Sequence, residues 1–344
     1  MGESEKQFMQ KMDAASGCVD GFGFPREEIR REYLGEERSS RAISSIISRQ
    51  ENKNQERFML QRATAFGGHQ IAMACADNLS FMAQLQKETV KLVITSPPYN
   101  IGKSYERRTG LDYYIAEQSK VISECVRLLH PRGSICWQVG NHIQNGEVFP
   151  LDVLLYPIFA KLGLKLRNRI IWHFEHGLHC SKRLSGRHET ILWFTKDNDY
   201  TFNLDSIRVP SKYPGKKYFK GPKIGQLSGN PLGKNPGDVW VFPNVKNNHV
   251  EKTIHPCQFP VELVERLVLS LTDKGDQVLD PYMGVGSSII GALKNGRIGL
   301  GCDTEKNYVD VAWDRVKQLQ SGALKTRPMY KPVYDPNLPN GGHR

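Results

Sequence analysis

The run Val90-Lys-Leu-Val-Ile-Thr95, followed at once by Ser96-Pro97-Pro98-Tyr99, constrains this chain more than any other stretch. A short apolar run rich in aliphatic and β-branched side chains reads as a buried strand. Two prolines then end it, because proline donates no ladder hydrogen bond and restricts the residue before it. The expected outcome is a rigid loop at the carboxyl edge of a sheet, which is where open α/β proteins hold their ligands. A fixed hydroxyl, a fixed carbonyl and an aromatic ring on one turn can accept hydrogen bonds from an amino group while stacking on a flat ring. A plain proline-rich loop after a buried strand has the same local sequence, so the choice rests on other segments.

One such segment lies far downstream. Gln277-Val-Leu-Asp280-Pro281-Tyr-Met-Gly284-Val-Gly286-Ser287-Ser288 reads as a short strand, a glycine turn and the first turn of a helix. Glycines permit close backbone approach, and a helix start offers unpaired N–H groups to an anionic ligand. A second strand, Arg297 to Cys302, then ends in Asp303. An acidic residue in that place accepts hydrogen bonds from ribose hydroxyls in many nucleoside sites. The two features together point to a nucleoside cofactor. Helical spacing at Tyr308, Val309, Ala312, Trp313 and Val316 reads as core packing.

Composition fits a partner of negative charge. The 344 residues carry a formal net charge of +11, which favours a polyanion. The charge is uneven: Ser206 to Gly237 holds no acidic residue but contains Arg208, Lys212, Lys216, Lys217, Lys220, Lys223 and Lys234, interleaved with Tyr213, Tyr218 and Phe219. Seven scattered cysteines lack the paired spacing of a disulfide framework or zinc site, as expected of a reducing cytoplasm. No secretory signal and no apolar run long enough to span a bilayer is seen, so no membrane partner is expected.

With these segments in view, the chain resembles the DNA amino-methyltransferases that use S-adenosylmethionine, in the motif order called beta. Six segments carry the resemblance over roughly residues 68 to 320: Ala76-Asp77-Asn78, Thr95 to Asn100, Arg187 to Lys196, Gly237-Asp-Val-Trp240, His255 to Arg266, and Val278 to Ser288. Cys257 and Phe259 stand where the family usually has Thr and Lys. The resemblance implies that Asp280, Gly284 and Gly286 line the methionine end of the cofactor, Asp303 the ribose and Asp77 the adenine, with Pro281 and Ser287 also in the cofactor-binding set. It implies that Ser96 and the Pro97 carbonyl accept hydrogens from the target amine, with Pro98 holding the loop and the ring of Tyr99 stacking on an extruded base. No metal is implied. The partners implied are double-stranded DNA, a homodimer and, in a restriction-modification system, a cognate endonuclease, with an orphan modification enzyme as the alternative, in a bacterial, archaeal or phage setting.

The expected fold is a doubly wound, mostly parallel α/β sheet of the S-adenosylmethionine-dependent methyltransferase type, circularly permuted, with a basic target-recognition insertion. Strands are expected at 90–95, 134–139, 168–174, 190–195, 277–280 and 297–302, and helices at about 113–129, 151–162 and 261–272. Residues 1–67 read as a polar helical extension, 68–205 as the catalytic half and 206–250 as the basic recognition region, with Arg208, Lys212, Lys216, Lys217, Lys220 and Lys223 on DNA phosphates. Residues 251–326 read as the cofactor half and 327–344 as a flexible tail.

Ser at the head of the tetrapeptide is typical of cytosine-N4 enzymes in the resembling family and favours that target. Asn100-Ile-Gly-Lys103 is similar to some adenine enzymes, so adenine N6 is the alternative. An RNA or protein substrate, or a silent DNA-binding module on the same fold, stands behind both. Pro256-Cys257-Gln258 looks like the nucleophile motif of cytosine-C5 enzymes, but it precedes the glycine loop instead of following it. Cys257 is therefore expected to be a small buried residue.

Overall fold

Strand β3, Val90–Thr95, is buried along its whole length and is flanked on both sides by parallel neighbours. A strand covered on both faces needs a continuous apolar run, which is what its sequence supplies. The computed structural model describes residues 61–64, 68, 70–102, 108–174, 177 and 179–333. The extension expected at 1–67, apart from the backbone of 61–64, lies outside those residues, as do Lys103 and the chain beyond 333.

In chain order the strands are β1 Gln61–Thr64, β2 Gln70–Cys75, β3, β4 Leu129–Val139, β5 Asn141–Gln144, β6 Glu147–Pro150, β7 Lys165–His173, β8 His188–Thr195, β9 Val239–Val241, β10 Gln277–Asp280 and β11 Ile298–Asp303. The helices are α1 Asn78–Met82, α2 Leu111–Leu128, α3 Leu151–Lys161, α4 Val261–Leu271, α5 Ser287–Lys294 and α6 Lys306–Gln320. Among the described residues, nine strands form one mixed sheet in the order β1-β2-β11-β10-β3-β4-β8-β7-β9, and β5 pairs with β6 as a separate hairpin. Strands β2, β11, β10, β3 and β4 are mutually parallel; β1 and β8 run against their neighbours. The result is the expected doubly wound, mostly parallel sheet, and the sheet brings together two loops 185 residues apart in sequence.

Helices cover both faces. One apolar cluster packs Val121, Ile122 and Cys125 of α2 and Leu155 and Phe159 of α3 against Val93, Ile135 and Trp137. The opposite face packs Leu263, Val264, Leu267 and Val268 of α4 against Leu92, Ile94 and Val278. Helix α2 presents Tyr114, Gln118, Val121, Ile122, Cys125 and Leu128 on one buried stripe, the spacing of a one-sided helix. Asp112 in its first turn and Arg127 in its last complement the helix dipole.

The topology fixes the site. From β3 the chain passes through α2 to β4 on one side, while from β10 it passes through α5 to β11 on the other. The crevice between β3 and β10 is the point where the sheet order reverses, and in doubly wound sheets ligands bind outside the carboxyl ends at such a point. Ser96 and Pro281 each begin directly beyond a strand end on that crevice.

Two expectations change. The chain after α6 does not come loose at Arg327, which is buried and forms an ion pair with Glu262 while its backbone N–H donates to Glu251 Oε1 at 2.9 Å. An arginine seated on a buried carboxylate anchors the segment that follows it. Cys257 is exposed at a cavity wall and is not a buried filler. No helix among the described residues is long and apolar enough to cross a membrane.

Candidate active site

The loop after β3 is held at both ends. Thr95 Oγ1 donates to Asp280 Oδ1 at 2.6 Å, and Tyr114 of α2 donates to the Pro98 carbonyl at 2.8 Å. Asn100 closes the turn with φ of 57°, a left-handed conformation that asparagine tolerates. Its side chain donates to the Thr109 carbonyl at 2.8 Å and accepts from the Thr109 N–H at 2.7 Å. Proline rigidity and these anchors leave Ser96 and Tyr99 with fixed directions.

The glycine loop is held in turn by the strands around it. Asp280 is 1% exposed, and its carboxylate accepts from Thr95 Oγ1, from the Tyr282 N–H at 3.0 Å and from Ser288 Oγ at 2.5 Å. Burial raises its pKa to about 6 against the pull of those three donors. Gly284 adopts φ of 50°, and a Cβ there would stand 3.2 Å from His255 Nε2. Gly286, at φ of 75°, precedes α5, where a Cβ would stand 3.0 Å from Ala312. Arg315 of α6 donates to the Val285 carbonyl at 2.7 Å and stiffens the turn from behind. Asp303, at the end of β11, accepts from the Gly284 N–H at 3.0 Å and the Glu305 N–H at 2.9 Å. Burial raises its pKa, while those N–H groups act in the opposite direction.

Both loops face one cavity of about 300 Å³. Asp77, Ser96, Pro97, Pro98, Tyr99, Asp280, Pro281, Gly284, Ser287 and Asp303 all line it, whereas Gly286 does not. Its surface mixes apolar side chains (Phe259, Pro281, Tyr282, Met283) with the carboxylates of Asp77 and Asp303. Apolar walls with a few convergent polar groups suit a nucleoside bearing a charged tail. Asp77 also caps α1, accepting from the Ser80 N–H at 3.0 Å.

Sequence reading missed several wall residues. Tyr308, expected in the core, lines the cavity and packs edge-on against His255 at 4.5 Å between centroids. Burial lowers the His255 pKa to about 4, so this ring is neutral. The hydroxyl of Tyr99 had no expected role, yet it lies 3.0 Å from Ser96 Oγ and donates to Glu189 Oε2 at 3.3 Å. Gln138 of β4 also donates to that carboxylate oxygen. Ser96, Tyr99, Gln138, Glu189 and Cys257 surround a second, smaller hollow that shares the Ser96–Tyr99 wall with the first.

The basic region behaves differently from the rest. Lys212, Lys216, Lys217, Lys220 and Lys223 are exposed, as are Tyr213 and Phe219 at 65% and 75%. Two isolated antiparallel bridges, Val209 with Lys234 and Lys217 with Leu227, give the segment its shape. Arg208 departs from the set. It pairs with Asp205 at 2.6 Å and donates to the Gly233 carbonyl at 3.0 Å, so it serves the base of the loop.

The family model described as DNA methylase, of the N6 and N4 type, matches residues 90–314. The chain is 48% identical over 265 residues to the type II methyltransferase M.BglII of Bacillus subtilis, covering 77% of this chain and 70% of that protein. It is 30% identical over 303 residues to the DNA adenine methyltransferase YhdJ of Escherichia coli strain K12, covering 80% and 97%. Among solved structures, TTHA0409 of Thermus thermophilus in complex with S-adenosyl-L-methionine is similar at 27% identity, covering 72% and 93% of the two chains with a TM-score of 0.51. The cytosine-N4-specific PvuII DNA methyltransferase shares the fold at 17% identity, covering 75% and 94% with a TM-score of 0.58.

Proposed function

Because the chain belongs to the DNA methylase family of N6 and N4 type and is thus an S-adenosylmethionine-dependent DNA methyltransferase, we propose that its target is the N4 amine of cytosine, held by Ser96 and the Pro97 carbonyl. The observation carrying this reading is Ser96 Oγ, a neutral acceptor on the wall shared by the two hollows. The larger hollow is the cofactor site, with Asp303 at the ribose, Asp77 at the adenine, and Pro281, Gly284 and Ser287 toward the methionine end; Asp280 supports that end from within the wall. When bound there, S-adenosylmethionine supplies an electrophilic methyl group.

An exocyclic amine is a poor nucleophile because its lone pair is delocalised into the ring. Two acceptors aimed at its hydrogens favour pyramidal nitrogen and stabilise the positive charge that develops on it. The amine is out of reach inside a stacked duplex, so the base is flipped into the smaller hollow, where the Tyr99 ring supplies a stacking surface. The exposed lysines of the 206–250 region hold the duplex by its phosphates.

Labelled-methyl transfer offered in parallel to DNA, RNA and protein tests the substrate class. Label should enter DNA alone, and Ser96→Ala should lower the rate on the order of 10²–10³-fold with cofactor binding retained, the usual cost of one preorganised group. Adenine N6 is the second reading, favoured by the likeness to YhdJ.

A further inference from the structure

We infer that Glu189 takes up the proton released by the target amine, receiving it through the hydroxyls of Tyr99 and Ser96. This rests on the reading above in which Ser96 Oγ accepts an amine hydrogen. The direction of the hydrogen bonds carries the inference. An ionised carboxylate only accepts, so the single Tyr99 proton points at Glu189 Oε2, 3.3 Å away. Tyr99 Oη is then the acceptor of the 3.0 Å contact with Ser96, whose own proton points at Tyr99. That leaves the lone pairs of Ser96 Oγ, on the wall of both hollows, to accept an amine hydrogen. Three oxygens thus form a chain oriented to carry a proton away from the site.

The step balances. As nitrogen gains the methyl group and a positive charge, one N–H bond breaks and its electron pair stays on nitrogen. That proton goes to Ser96 Oγ, the Ser96 proton to Tyr99 Oη, and the Tyr99 proton to Glu189. One O–H bond forms on the carboxylate, both hydroxyls are regenerated, and the opposite charges cancel.

The surroundings of Glu189 suit an acceptor. Burial raises its pKa to about 7, against donation from Tyr99 and Gln138. A general base works best with a pKa near the working pH. The groups facing it are Tyr99 from the loop after β3, uncharged Gln138 from β4 and, farther off, the Lys246 cation beyond β9. Cys257 lines the same hollow, and His188 precedes it on β8. The bonded partners are both neutral donors.

Single-turnover methyl transfer to DNA, measured across pH 5.5–9 (about the range needed to bracket such a group), tests the relay in the wild type, Glu189→Gln, Tyr99→Phe and the double variant. The wild-type rate should climb as pH rises through about 7, when the carboxylate ionises, and then level off. Glu189→Gln should be slower by about 10²-fold or more above pH 8 and should lose that rise. Tyr99→Phe, which keeps the ring and breaks the chain, should match it, and the double variant should be no slower than either. Infrared titration of the Glu189 carboxyl in the enzyme without substrate gives a readout independent of turnover, and a midpoint near 7 is expected. A wild-type rate and pH profile in Glu189→Gln or in Tyr99→Phe, or a carboxyl midpoint near 4, overturns the relay. An unimpaired Ser96→Ala sinks the underlying reading of Ser96 and the relay with it, whereas an impaired Ser96→Ala beside an unimpaired Glu189→Gln sinks the relay alone.

Discussion

Thr95 donates to Asp280 across 2.6 Å, joining the last residue before the Ser-Pro-Pro-Tyr loop to the last residue before the glycine loop. Through Ser288 the same carboxylate reaches the start of α5, so both walls of the cavity hang on one buried acid. Asp280→Ala would strand two hydroxyls and the Tyr282 N–H, and should destabilise the protein by on the order of 3 kcal/mol. Thr95→Val, which removes one donor, should cost about 1–2 kcal/mol. Chemical denaturation checks both values, and calorimetry should find weaker S-adenosylmethionine binding in Asp280→Ala. Wild-type values in that variant would mean that the brace is incidental.

Asp303 and Gly284, on the wall proposed for the cofactor, are linked by the 3.0 Å hydrogen bond from the Gly284 N–H. Asp303→Ala removes the expected ribose acceptor and frees the glycine turn, so S-adenosylmethionine affinity should fall by roughly 1.5–3 kcal/mol. Gly284→Val meets His255 and a left-handed φ, and should abolish cofactor binding. Calorimetric titration decides, and wild-type affinity in either variant removes the assignment.

Much of this site is legible in sequence because its two loops announce themselves. Strands 90–95 and 277–280 are expected at their observed bounds, being apolar runs closed by Ser-Pro-Pro and by Asp-Pro. The hairpin of β5 and β6 is not among the expected strands, although Asn145-Gly146, both at positive φ, is a strong two-residue turn signal. Glu189 is hidden for a different reason. As a charged side chain at the start of β8 it gives no local sign of a buried role, because its partners Tyr99 and Gln138 lie 90 and 51 positions away in sequence. Tyr308 falls into a helical stripe that does serve the core at Val309, Ala312 and Val316, yet its own ring turns to the cavity.

Lys216, Lys217, Lys220 and Lys223 lie exposed on the 206–250 segment. Replacing all four with Gln should weaken DNA binding and flatten its salt dependence by about 0.9 in log–log slope for each phosphate no longer neutralised. Cofactor affinity should be unchanged. A fluorescence-anisotropy salt titration checks this, and an unaltered slope in the folded variant makes the segment a bystander.

Arg327 and Glu262 form a buried ion pair, with Glu262 fully buried. Arg327→Ala leaves that carboxyl without its cation and should destabilise the protein by about 3–5 kcal/mol. Urea denaturation provides the value, and a loss indistinguishable from zero would mean that the chain after α6 is not anchored there.

In the proposed function, Ser96 and the Pro97 carbonyl direct methyl transfer to an exocyclic amine, on cytosine N4. Incubating the protein with duplex DNA and isotopically labelled S-adenosylmethionine, digesting the DNA to nucleosides and separating them by mass spectrometry reads the product directly. Labelled N4-methylcytosine is expected, strongly reduced in Ser96→Ala. Labelled N6-methyladenine would contradict the choice of base, and labelled 5-methylcytosine would contradict the mechanism itself.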